Sequence, residues 1–146
     1  MRRCPMRCST SGVCDRVKLL PDTHIWLWMR TDAGRLPSPV RRKLSSDSAT
    51  LYLSAACVME ISIKQAIGKL RLDLTTSEFV EGLLSQGVLP AAIEIEHAVV
   101  AGSLPRHHRD PFDRALVAQA QVEGFTLVTA DPRILKYDVA AIDARR

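Results

Sequence analysis

Short apolar runs alternate with helical segments along this chain from residue 17 onward, and that alternation most narrowly limits the fold. The runs at 17–20, 50–53, 92–95, 126–129 and 139–142 read as strands. Between them, 23–29, 37–46, 55–67, a segment capped by Thr75 or Thr76 and ending at 85, 97–104 and 111–123 read as helices. Residues 132–135 add a helical turn. Gly68 and Gly124 stand just past two helix ends, where glycine supplies the left-handed closing turn, and Pro105 ends a third. Strands separated by helices pair in parallel, because each crossover returns the chain to the same edge. The predicted fold is therefore α/β with a central, mainly parallel sheet.

The length of 146 residues fits one domain. Apolar residues are 47% of the chain, enough for a packed core and too many for a disordered chain. No apolar run approaches the ~18 residues a membrane-spanning helix needs, so a soluble protein is expected. The net charge of +4 is uneven. Residues 1–17 carry Arg2, Arg3, Arg7 and Arg16 against Asp15, which leaves about +1 for everything else. Charge alone therefore makes no case for nucleic acid. Cys4, Cys8 and Cys14 match no common zinc spacing, and Cys57 sits in an apolar helical stretch as a small hydrophobe. Nothing demands a disulfide, and a cytosolic setting is expected. Residues 1–17 have charge but no apolar segment, and are expected to be a disordered tail produced by start-codon choice, with the domain spanning 18–146.

The acids fall at informative places. Asp22 follows the first strand and Asp131 the strand at 126–129. Glu60 lies in the second turn of the helix after 50–53. Asp110 and Asp113 open the helix at 111–123. In an open parallel sheet, ligands bind beyond the carboxyl ends of the strands. Asp22, Glu60 and Asp131 would meet there, and so many negative charges repel unless a cation joins them. Oxygen donors alone suit Mg²⁺ or Mn²⁺. Each acid also has a plainer explanation. Asp22, Asp110 and Asp131 suit helix N-caps, Pro111 and Pro132 being placed at first helical positions. Asp113 suits the helix dipole, and Glu60 suits an ion pair with Lys64 four residues on.

Four segments resemble the PIN-domain ribonucleases, and among them the VapC toxins of VapBC toxin–antitoxin modules. They are LLPDTHIWLW (19–28), SAACVMEISIKQAIGKL (54–70), HRDPFDRALVAQA (108–120) and TLVTADPRI (126–134). The resemblance implies a three-layer α/β/α sandwich and metal-dependent hydrolysis of RNA phosphodiester bonds with Mg²⁺ or Mn²⁺. It also implies a homodimer and a small VapB-like antitoxin that blocks the site. By position it makes Asp22, Glu60, Asp113 and Asp131 the catalytic metal ligands, with Thr23 and Thr129 supporting them through their hydroxyls and Asp110 an accessory acid or cap. Three features depart from the family pattern. Pro21 replaces an aliphatic strand residue and is expected to end the strand early. Met59 replaces an aromatic, and the tail has no counterpart.

Lys64, Lys69, Arg106, Arg109 and Arg114 flank the acidic segments and are candidates to meet an RNA backbone. His107 and His108 read as an exposed loop pair. Trp26 and Trp28 read as core or interface rather than base-stacking residues. Two rival functions remain at this level. A phosphatase-like enzyme also gathers aspartates at strand ends, but would want a second aspartate two residues after Asp22 or a lysine soon after 126–129. A catalytically silent interaction module would keep the fold without the chemistry.

Overall fold

The computed structural model describes residues 16–146. The expected tail lies almost wholly outside the described residues. Five strands form one sheet: β1 (Val17–Pro21), β2 (Ala49–Ser54), β3 (Leu89–Ala91), β4 (Thr126–Thr129) and β5 (Ala141–Asp143). Their order is β3-β2-β1-β4-β5 and every pairing is parallel. Six helices link them: α1 (Thr23–Thr31), α2 (Ser38–Leu44), α3 (Ala55–Ala66), α4 (Thr76–Ser85), α5 (Ile95–Ser103) and α6 (Pro111–Glu123).

Alternation within the central strands divides the core. Leu19 and Val128 pack with Ile25, Leu36, Val40 and Leu44 of the α1–α2 layer. Leu20 and Leu127 point the other way, onto Cys57, Ile61, Leu116 and Val117 of α3 and α6. A strand buried on both faces reads as an unbroken apolar run, which is why Lys18 is the last polar residue before Asp22. Burying each such leucine contributes roughly 1.5–3 kcal/mol. No helix among the described residues is long and apolar enough to cross a membrane.

Three expectations need correction. β1 does not stop before Pro21, which pairs with Val128. The N–H of Val17 points to Ser48 on the β2 side and that of Asp22 to Val128 on the β4 side. By alternation the N–H that Pro21 lacks would face β2, whose pairing with β1 already ended at Leu19 and Leu51. Pairing of β1 with β2 thus stops short of the proline, while pairing with β4 continues through it. The third strand is 89–91 rather than 92–95. The Gln119 amide donates to the carbonyls of Ala91 and Ala92, and His97 Nδ1 accepts from the N–H of Glu94. These bonds turn the chain into α5, which starts two residues earlier than expected. β5 is likewise shifted to 141–143, from the 139–142 expected.

Candidate metal centre at the carboxyl edge

From β1 the chain works outward through β2 to β3, then returns to place β4 on the other side of β1. The carboxyl ends of β1 and β4 thus flank the point where strand order reverses, the place where such sheets bind ligands. Asp22 leaves the end of β1, and Asp131 lies two residues past β4.

Asp22 is 3% exposed. Its Oδ1 caps α1 by accepting the Ile25 N–H at 3.0 Å, and its Oδ2 accepts a hydrogen bond from Thr129 Oγ1. Burial pushes its carboxyl above the usual range, while these two donors oppose the rise. Glu60 is equally buried on the inward face of α3. Thr23 Oγ1 donates to its Oε1 and Lys64 Nζ to its Oε2, both at 2.6 Å. The Glu60 partner raises the Lys64 ammonium above its ordinary value. Thus the ion pair suggested by spacing is present, and the two threonines support the two inner acids.

The outer acids are arranged differently. Asp110 caps α6, its Oδ1 accepting the N–H groups of Phe112 and Asp113. Asp113, in the first turn, projects into an open cleft of about 570 Å³ that Glu60, Asp110 and Asp131 also line. Burial, followed by the charges of Asp110, Asp22, Glu60 and Asp131, pushes the Asp113 carboxyl up to about 8. Burial also acts to raise Asp131, but hydrogen bonds from Arg133 and His108 outweigh it and hold this carboxyl below its ordinary value. The charges of Asp22, Glu60 and Asp131 all reach Asp113, although Asp22 does not line the cleft.

Sequence reading missed His108. Its side chain is 4% exposed, and its Nε2 lies 2.9 Å from both Asp113 Oδ2 and Asp131 Oδ2. The signal was local: a histidine two residues before the N-cap Asp110, whose N–H reaches back to Nδ1 at 3.1 Å. His107 instead packs edge-on against Tyr137.

Of the basic candidates, Lys64, Arg106 and Arg109 line the cleft, joined by Arg133. Lys69 does not line it. Arg114 turns away and gathers the carbonyls of Ala101, Leu104, Pro105 and His108. It is a loop clamp rather than a phosphate contact. Trp26 is core, and Trp28 lies under the Arg35 guanidinium, 4.4 Å from its ring centre.

The donor set fits a hard divalent cation. One ligand atom each from His108, Asp113 and Asp131 lies within 4.8 Å of the other two, and Asp22 and Glu60 are not part of that group. The raised Asp113 carboxyl marks crowded negative charge that a cation relieves.

The PIN domain family matches residues 19–140, and the chain belongs to that family. Its fold is similar to VapBC2 from Rickettsia felis, solved bound to a promoter DNA fragment, with 14% identity and a TM-score of 0.66 over 87% of this chain and 98% of that one. The DNA-bound VapBC of Salmonella typhimurium gives 17% identity and a TM-score of 0.62, over 87% and 98%. VapC20 of Mycobacterium tuberculosis, a sarcin–ricin loop cleaving toxin, gives 13% and 0.62, over 88% and 99%. No curated protein matches the chain. At such identities the structural likeness speaks for the fold, which is the three-layer sandwich expected.

Proposed function

We propose that this protein is the toxin of a type II toxin–antitoxin module, a cytoplasmic endoribonuclease dependent on Mg²⁺ or Mn²⁺. The observation that carries this reading is a cleft lined by Glu60, Asp113 and Asp131 beside a rim of basic side chains, with the charge of buried Asp22 also reaching Asp113. Family membership and the likeness to VapBC structures support it.

Asp22, Glu60, Asp113 and Asp131 would hold the metal. The bound ion would make a coordinated water more acidic and stabilise charge on the phosphate oxygens. Lys64, Arg106, Arg109 and Arg133 would seat the RNA backbone across the cleft. Asp113 or Asp131 would orient the attacking water. A new oxygen–phosphorus bond forms in line as the bond to the 3′ oxygen breaks, leaving a 5′-phosphate and a 3′-hydroxyl. A VapB-like antitoxin would cover this cleft, and a homodimer is expected. The phosphatase-like alternative is weaker, because the described residues place no lysine close after β4 in the cleft.

The test is cleavage of a mixed RNA pool by antitoxin-free protein in Mg²⁺, Mn²⁺ and EDTA, alongside Asp113→Asn. Metal-dependent cleavage that disappears in the variant supports the reading. Folded protein that binds metal and cuts no RNA supports a silent interaction module instead.

A further inference from the structure

We propose that His108 is a positioning residue that bridges Asp113 and Asp131 and is itself kept out of the metal's ligand set by the backbone N–H of Asp110. This rests on the metal-binding part of the function proposed above. The three groups His108, Asp113 and Asp131 lie close enough together to suggest a mixed imidazole–carboxylate site. The hydrogen bonding argues otherwise.

A backbone N–H only donates. Because the N–H of Asp110 points at Nδ1 at 3.1 Å, Nδ1 is the acceptor of the ring and Nε2 its donor. Nε2 lies 2.9 Å from an oxygen of each outer carboxyl group and is hydrogen-bonded to Asp131. For Nε2 to bind a metal, the proton would have to move to Nδ1, where it would meet the donor of Asp110 in a residue 5% exposed. A buried donor left without a partner is costly. The ring is also held from behind. The His108 N–H donates to Tyr137 Oη at 3.0 Å, and Arg114 Nη1 donates to its carbonyl at 3.2 Å. Tyr137 Oη in turn donates to Pro105. The clamp formed by Arg114 and Tyr137 therefore holds Nε2 between the two outer carboxyl groups, hydrogen-bonded to Asp131 and beside Asp113, which sets their separation before any ion arrives.

The consequence is a preference in metal. Imidazole favours Zn²⁺ and other transition ions, whereas an oxygen-only set favours Mg²⁺ and Mn²⁺. Denying His108 to the ion biases the site toward the hard cations.

Two variants separate the halves of the ring's role. In His108→Asn the side-chain oxygen reaches the Asp110 N–H, but nothing reaches the carboxylates. In His108→Gln the amide N–H reaches them. Mn²⁺ titration should show affinity falling about 10- to 100-fold in His108→Asn, the usual effect of losing a group that orients a ligand. Most of that affinity should return in His108→Gln. Pulsed electron paramagnetic resonance on Mn²⁺-loaded wild type should show no directly coordinated nitrogen. ¹⁵N spectra should show the Nε2–H tautomer with and without Mg²⁺. A coordinated nitrogen lost in His108→Gln, or both variants binding Mn²⁺ like wild type, overturns the inference, as does wild type that binds no Mn²⁺. The spectroscopy on wild type needs neither stable variants nor activity. Protein that behaves as expected here yet cuts no RNA overturns the nuclease reading alone.

Discussion

The inner and outer halves of the acidic cluster are built on opposite terms. Asp22 and Glu60 are buried, and the chain itself supplies donors to every one of their carboxylate oxygens: a backbone N–H, two threonine hydroxyls and a lysine. Asp113 and Asp131 stand at the cleft, where Asp131 takes donors from Arg133 and His108 while Asp113 is crowded by burial and its neighbours' charge. The inner acids are thus tied into the fold, and Asp113 is the acid left crowded at the cleft. An acid can cap a helix and serve a site together, as Asp22 illustrates, so a local structural explanation does not argue against a functional one.

The sharpest break of this comparison is activity. Asp113→Asn and Asp22→Asn should each lower RNA cleavage at least about a hundredfold, as expected for loss of a charge that holds an ion. Stability should then separate them. Asp22→Ala removes the α1 cap and strands the Thr129 hydroxyl, and should destabilise by about 1–3 kcal/mol in urea unfolding. Metal-free Asp113→Asn should instead match or exceed wild type at pH 7. An acid raised by folding binds its proton more tightly in the folded state, so its contribution is fully present below the unfolded value of about 3.9 and is lost as pH rises through about 8. The stability gap between this variant and wild type should therefore widen from pH 4 to pH 8 without metal. A flat gap would show that the outer acids are not crowded.

Mg²⁺ should raise the melting temperature of wild type, with about 2.7 kcal/mol gained at a hundred times its dissociation constant, and should leave Asp113→Asn nearly unmoved. Smaller still, Thr23→Val removes one donor to Glu60 and should cost about 1 kcal/mol, with a modest loss of metal affinity. Arg133→Ala should leave the melting temperature unchanged and shallow the salt dependence of RNA binding.

The sequence made the acids readable because each sits at a strand end, a cap or a helix face with its own local rule. The layers were readable because parallel strands and amphipathic helices have different periods. His108 carried a local signal in its place before the N-cap Asp110, but its contact with Asp131, 23 residues away across a loop, follows from no periodicity. Arg114 was misread for the same reason: a guanidinium one position past Asp113 looks like a phosphate contact until the carbonyls around it are placed. The third strand was misplaced because the apolar content of 92–95 says nothing of Gln119, whose amide holds the preceding carbonyls.

The pairing of β1 with β4 also has a consequence for synthesis. Asp22 and the hydroxyl of Thr129 that steadies it are 107 residues apart. At about 5–20 residues per second, a ribosome would take roughly 5–20 s to make the second after the first. Until β4 emerges, β1 has only β2 beside it, and Asp22 lacks the hydroxyl that bonds its Oδ2. The carboxyl edge of the sheet therefore assembles late, only once residues 126–131 have been made, however early Asp22 and Glu60 were.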